Sequence, residues 1–354
     1  MATPPKSNLP KSKIPPRETP PRYGVMGAGL IGCYLGGLLA ASGRAVTLVG
    51  RGHVQGGIAA NGLQLTHYED PPKRPEGFVF ATDAAALAAC DVVLVCVKSQ
   101  ATEAVAREMG EHLRSDTLVV SFQNAIGNAD VLEALLPGCE VLPGMVPFNV
   151  TSPEPGRFHK GTQGALYVRA VSDHRLLDMK AALEAAGQEV ELRDPLTGLL
   201  WGKLLMNLSN PLNALSGGPL RAGLMERGLR RVMARCMREG LAALGAAGIA
   251  PESSTKLPPR ALPLLLSLPT PLFSVLMDGL LKIDPTARSS MLEDLERGRS
   301  SENAFLQGEV IRLGRRMGVD VETNRRVSEA VEAAFAAGRS PDMSGRDMVR
   351  AFLK

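Results

Sequence analysis

A chain of 354 residues is longer than one hydrophobic core commonly organises, so two domains are expected. With 45% apolar and 21% charged residues the composition is that of an ordinary globular protein, which excludes extended disorder except where composition shifts locally. The 40 Lys and Arg against 36 Asp and Glu leave a net charge of +4, and no basic run is interleaved with aromatics, which argues against nucleic acid as a partner.

Residues 1–22 are rich in Pro, Lys and Arg and hold no apolar segment, which predicts a disordered tail rather than a secretory signal. From Tyr23 the pattern changes to a short apolar run, a glycine cluster and a helix-like stretch to Ser42, then the run AVTLV from Ala45 to Val49, a strand–helix–strand unit. Between the first strand and the helix stands Gly27-Ala28-Gly29-Leu30-Ile31-Gly32, a GxGxxG sequence in the context that gives it meaning. The first glycine permits a tight turn, the second lets a pyrophosphate approach the backbone, and the third lets helix and strand pack, so a dinucleotide is expected at the helix N-terminus. The second strand ends in Gly50-Arg51, with no carboxylate to engage a ribose 2′-hydroxyl and a guanidinium able to pair with a 2′-phosphate. That favours NADP over NAD, although an arginine there also reads as a solvated loop residue.

The runs Cys90–Val97 and Thr117–Phe122 are continuously apolar and spaced for intervening helices, the arithmetic of a buried parallel sheet. Lys98 and Asn124 follow them, at the carboxyl edge where such sheets bind ligands. Between Val141 and Ala170 shorter strand-like segments suggest an antiparallel extension, and a helix is expected from about Leu176 to Ala186. Beyond Asp194 and Pro195 the period is helical throughout, over 199–216, 221–248, about 260–282, 290–317 and 324–337, placing a domain boundary near residue 194. The apolar stretch from Leu257 to Leu281 is interrupted by prolines and charges, so no membrane span is expected.

In the helix expected over Trp201–Leu215, Lys203, Asn207 and Asn210 fall at i, i+4 and i+7 and share one face, either a solvated stripe or a set of substrate hydrogen-bonding groups. In the 290–317 segment Glu302 lies on the apolar stripe of Met291, Leu295, Leu306, Val310 and Leu313, where a carboxylate needs a partner, in a salt bridge or in a site. Ser290, near that helix start, reads by default as a cap. None of the five histidines, His53, His67, His112, His159 and His174, falls in an HxxxH pattern or beside a nucleophile motif, so lysine is the default proton donor. The cysteines, Cys33, Cys90, Cys96, Cys139 and Cys236, are odd in number and lack CxxC spacing. They read as reduced thiols of a cytosolic protein without a metal site.

The GxGxxG opening with Arg51, the lysine of VCVKSQ, the QN of SFQNAIGN, the block WGKLLMNLSNPLNAL, and SSML and SSEN with Ser290 and Glu302 twelve residues apart together resemble the ketopantoate reductase (2-dehydropantoate 2-reductase) family over about residues 23–340. The resemblance implies an α/β architecture, a Rossmann-type parallel-sheet domain over 23–194 binding NADPH, followed by an all-α substrate domain over 195–354. It implies hydride transfer to ketopantoate, a small 2-keto acid, in pantothenate and coenzyme A biosynthesis. Lys203 matches the family's general acid and Glu302 the carboxylate near it. Asn124 matches the asparagine near nicotinamide and substrate, and Lys98 the lysine at the cofactor edge. Asn207, Asn210 and Ser290 match the substrate-binding amides and hydroxyl. Two departures stand out: Ala125 replaces the glycine of the usual QNG, and Asn210 is one residue closer to Lys203 than in some members. A reductase of another branched 2-keto acid, an opine-type dehydrogenase, and an NADP-sensing protein without turnover remain as alternatives, and the apolar helices permit a homodimer.

Overall fold

The computed structural model describes residues 19–68, 70–254, 257–280 and 288–353, with 277–280 described by backbone alone; the expected tail lies outside them as far as residue 18. The chain divides into two compact units, one ending at Leu196 and the other beginning at Thr197.

In the first unit β1 (Tyr23–Met26), α1 (Leu30–Ala41) and β2 (Val46–Val49) are followed by α2 (Gly52–Asn61), β3 (Gln64–His67), β4 (Asp70–Lys73) and β5 (Val79–Ala81). Then come β6 (Val92–Val95), α3 (Thr102–Gly110), β7 (Leu118–Ser121), α4 (Asn128–Leu135) and β8 (Glu140–Met145). The unit closes with β9 (Val150–Glu154), β10 (Arg157–Lys160), β11 (Leu166–Arg169), α5 (His174–Ala185) and β12 (Val190–Arg193). Eight strands form one sheet in the order β12-β11-β8-β7-β6-β1-β2-β5, parallel except where β11 runs against β8.

Every residue of β1, β6 and β7 is buried, because helices cover both faces. Their side chains alternate between two apolar layers. Val25, Leu94 and Val120 face Leu35 and Leu39 of α1 and Met179 and Leu183 of α5, while Met26, Val95 and Val119 face Ala106 and Met109 of α3 and Leu132 of α4. The chain leaves β1 for β2 on one side and later enters β6 on the other, so the topological switch lies at the carboxyl ends of β1 and β6.

The expected antiparallel extension is realised by β11 alone. Strands β9 and β10 instead join β3 and β4 in a second sheet, β4-β3-β10-β9, packed against α1. Its central pair, β3 and β10, is parallel and joins residues 93 apart in sequence.

The described residues of the second unit are helical with connecting turns, but several expected helices are divided. The 199–216 helix is α6 (Thr197–Asn207) and α7 (Ser209–Ser216). Pro211 has no N–H to donate to the Asn207 carbonyl and crowds it, so the first helix ends there. The 221–248 segment is α8 (Leu220–Met225) and α9 (Arg227–Ala246), and the 260–282 segment is α10 (Leu262–Ser267) and α11 (Thr270–Leu280), separated at Leu268-Pro269. The expected 290–317 helix is α12 (Ser290–Glu296) and α13 (Gln307–Met317). It is broken by Gly298, whose φ of +61° lies in the left-handed region. Two further helices, α14 (Glu322–Ala337) and α15 (Gly345–Phe352), complete the unit. Arg230, fully buried on α9, donates to the carbonyls of Leu224, Met225, Leu266 and Leu268 and lies 4.2 Å from the Phe273 ring centroid. A single cation thereby satisfies the carboxyl ends of α8 and α10.

Candidate active site

At the carboxyl end of β1 the surroundings of each glycine of the turn are distinct. Gly27 adopts φ +97°, and a Cβ there would lie 2.6 Å from Val97 Cγ1, so only glycine lets β1 and β6 close at the switch point. A Cβ on Gly32 would stand 2.2 Å from the Gly27 carbonyl oxygen, which keeps α1 tight against the turn. Nothing lies within 4 Å of a Cβ built on Gly29, which leaves the backbone open to a pyrophosphate. No side chain caps α1, so its first amides are left to an incoming anion, with Ala28 buried beneath the turn, Ile31 half-buried and Leu30 exposed beside it.

Gly50 is also fixed by contact. A Cβ there would lie 2.7 Å from the Ala28 Cβ and 3.1 Å from both Ala28 O and the Phe80 ring, so a carboxylate side chain is sterically barred. Arg51 follows as the exposed residue preceding α2, with a guanidinium that makes no hydrogen bond or ion pair among the described residues. An open turn and an uncapped helix N-terminus are the chemistry that a dinucleotide pyrophosphate requires.

Lys98 follows β6 and is half-buried; Asn124 follows β7 and is exposed at the same edge. The segment bearing Asn124 is bent. Ala125 has φ +72° and Gly127 φ +83°. The Asn124 carbonyl accepts from Ser99 Oγ at 2.8 Å and from Asn128 Nδ2 at 2.5 Å. Ser99, Thr102, Gln123 and Asn128 were not singled out by sequence reasoning, although the short polar cluster after each buried strand was visible.

In the second unit Lys203 sits on α6 between buried Trp201 and Gly202 on one side and Leu204 and Leu205 on the other. The helix can lie this deep because Gly198 and Gly202 meet the chain at 250–252 backbone to backbone, with a Cβ on Gly202 falling 1.7 Å from Glu252 O. Burial lowers the Lys203 ammonium pKa from its ordinary 10.5 to about 8, and the Glu302 carboxylate opposes that fall. The expected lysine and carboxylate are thus electrostatically coupled across 99 positions of sequence. Glu302 is not on a helical stripe as expected. It is half-buried in the turn between α12 and α13, held by its neighbour Asn303, whose amide donates to Ser328 O, Ser328 Oγ and Glu332 Oε1 of α14.

Asn207 ends α6 and is half-buried, as is Asn210, but Asn210 belongs to α7, so the single face expected for Lys203, Asn207 and Asn210 is interrupted after Asn207. Ser290 is the exposed first residue of α12, and the cap is Ser289, whose Oγ accepts from Leu292 N. Ser289 also donates from Oγ to Asn210 O and from its backbone to Asn213 Oδ1, which seats the turn carrying Ser290 on α7. Asn213, buried and engaged in this contact, is structural.

Residues 23–173 match the profile of the ketopantoate reductase PanE/ApbA family and residues 196–335 that of its C-terminal domain. A 2-dehydropantoate 2-reductase of Halobacterium salinarum is 28% identical over 89% of this chain and 99% of its own length. The crystal structure of a PanE/ApbA family ketopantoate reductase from Ralstonia eutropha is 31% identical, with a TM-score of 0.76 over 90% of this chain and 99% of that one. A dimeric ketopantoate reductase from Staphylococcus aureus, 16% identical, shares the fold with a TM-score of 0.67 over 90% of this chain and 99% of that one.

Proposed function

Because the chain belongs to the ketopantoate reductase family, we propose that it reduces 2-dehydropantoate to pantoate with NADPH, a step of pantothenate biosynthesis in the cytoplasm. The observation that carries this reading is the coupling of a half-buried lysine to a carboxylate, Lys203 with Glu302, in a chain whose glycine-rich turn is open to a dinucleotide. NADPH, when bound, supplies the hydride. Gly27, Ala28, Gly29, Leu30, Ile31 and Gly32 receive its pyrophosphate, Arg51 pairs with the 2′-phosphate, and Lys98 and Asn124 bound its nicotinamide end.

Hydride addition to a ketone leaves a developing alkoxide. Lys203 Nζ holds the proton that this oxygen needs, and a pKa near 8 keeps the amine charged at neutral pH yet ready to release it. Glu302 orients the ammonium and favours its charged form. Asn207, Asn210 and Ser290 donate to the substrate's carboxylate and hydroxyl.

The alternatives differ in substrate or in having no turnover, so the test is a panel of 2-keto acids, with and without amines, followed by loss of nicotinamide absorbance. Ketopantoate is expected to give the highest kcat/KM with NADPH. Preference for a different keto acid, a requirement for an amine, or binding without turnover would replace the assignment. A homodimer through the second unit belongs to the same proposal, supported by Leu272, Val275 and Leu276 standing exposed on one face of α11. Sedimentation at micromolar concentration tests it.

A further inference from the structure

We propose that Asn128 and Thr102 are positioning residues that fix Asn124 for the reaction, through a buried polar network joining the turn after β6 to the turn after β7. The proposal rests on the reading of Asn124 as a residue facing nicotinamide and substrate. Ser99, Thr102, Gln123 and Asn128 are all 5% exposed or less, and each is hydrogen-bonded. Ser121 Oγ donates to Gln123 Oε1 at 3.0 Å, and Gln123 Nε2 donates to Val97 O at 3.2 Å and to Thr102 Oγ1 at 2.7 Å. The single Thr102 hydroxyl proton lies between Ser99 O at 2.8 Å and Asn128 Oδ1 at 2.9 Å. Asn128 Nδ2 then donates to Ser99 Oγ at 3.1 Å and to the Asn124 carbonyl, which also accepts from Ser99 Oγ.

Two donors on one carbonyl fix the orientation of the peptide between Asn124 and Ala125. With that carbonyl turned inward, Ala125 takes its φ of +72° and the Asn124 side chain stays exposed at the strand edge. A side chain other than glycine in the left-handed region is strained by roughly 1–2 kcal/mol, so this conformation persists only where its surroundings hold it. An apolar filling of the same space would hold the sheet together without specifying that peptide. The network specifies it, and it ties the turn carrying Lys98 to the turn carrying Asn124.

Four variants of the full chain test this: Asn128→Ala, Thr102→Val, which keeps the shape and removes the hub hydroxyl, Thr102→Ser, which restores it, and Asn124→Ala as reference. Hydrogen exchange across 122–128 in the protein without nucleotide is expected to accelerate about tenfold or more in Asn128→Ala and Thr102→Val and to stay near wild type in Thr102→Ser. NADPH affinity, read by fluorescence without substrate, should change less than about threefold, while kcat/KM for ketopantoate falls about ten- to a hundredfold, approaching Asn124→Ala. Unchanged exchange in Asn128→Ala, or turnover within twofold of wild type, overturns the proposal. So does a loss of NADPH affinity as large as the loss of turnover, which would make the network part of the nucleotide pocket. A wild type inactive on every keto acid removes the reductase reading and the catalytic purpose with it, and exchange then still shows whether Asn128 holds the turn.

Discussion

Replacing Lys203 with methionine separates the chemistry from the fold. The side chain keeps its length and loses its charge, so the proton donor disappears and turnover of a keto acid should fall about a hundredfold or more. Stability should move the other way. In the folded chain the ammonium pKa is lowered from 10.5 to about 8, chiefly by burial, so folding below pH 8 holds a proton at reduced affinity. At 1.36 kcal/mol per tenfold change in proton affinity the ceiling on that cost is about 3 kcal/mol. Lys203 is only half-buried and Glu302 loses its partner in the variant, so a net gain of roughly 1–2 kcal/mol, about 2–8 °C in Tm, is expected at pH 7. The sign follows from linkage. Between pH 8 and 10.5 the unfolded chain binds more protons at this lysine than the folded one, so wild-type stability rises through that window and the methionine advantage shrinks to nothing above it. Thermal unfolding of both proteins at pH 7, 9 and 10.5, beside initial rates, checks each part. A methionine variant that is less stable at pH 7, or whose advantage persists at pH 10.5, would refute the reasoning, as would near-normal turnover.

Arg51→Ala should weaken NADPH binding about tenfold or more while leaving NADH affinity nearly unchanged, since a charge-assisted pair is worth on the order of 1.5–3 kcal/mol; equal binding of both cofactors by the wild type argues against it. Ala125→Gly should raise stability by about 0.5–1 kcal/mol, the left-handed strain relieved less the flexibility glycine adds to the unfolded chain, and a lower Tm would show the strain is absent. Glu302→Gln should depress turnover with little change in Tm and move the basic limb of the kcat/KM profile below pH 8, because the charge that supports the Lys203 ammonium is gone. A variant destabilised by about 3–5 kcal/mol whose folded fraction turns over normally would make Glu302 a structural ion pair instead.

What the sequence made legible was local. The spacing of Gly27, Gly29 and Gly32, the missing carboxylate at Gly50 and the lysine amid leucines in α6 each declare their chemistry within a few residues, and the parallel strands declare themselves by unbroken apolar runs. Two errors of helix continuity also had local signals that hydrophobic period outweighed. Pro211 marks the end of α6 and Gly298 the end of α12, and recognising them removes Asn210 from the face of Lys203 and Glu302 from a helical stripe. The remaining features depend on partners far along the chain. Nothing near Asn303 announces Ser328 and Glu332, nothing in Ser289 announces Asn213, and a cap shifted by one residue moves Ser290 from cap to exposed first turn. The polar residues after β6 and β7 looked like loop composition because their pairing is tertiary.

The parallel pair of β3 and β10 bears on how this protein is made. On a ribosome adding about 5–20 residues per second, β3 leaves the exit tunnel roughly 5–20 s before the strand it pairs with, 93 residues later. During that interval β3 has only β4 beside it, a strand of sequence DPPK whose two prolines cannot donate to a ladder. Leu63 and Leu65 can already lean on Gly37 of α1, but the open edge of β3 waits unpaired on the nascent chain for β10 to arrive. Expression yield should therefore respond to translation speed and to chaperone supply over residues 64–160, and a fragment ending before β10 should be recovered as aggregate, however complete its nucleotide-binding turn.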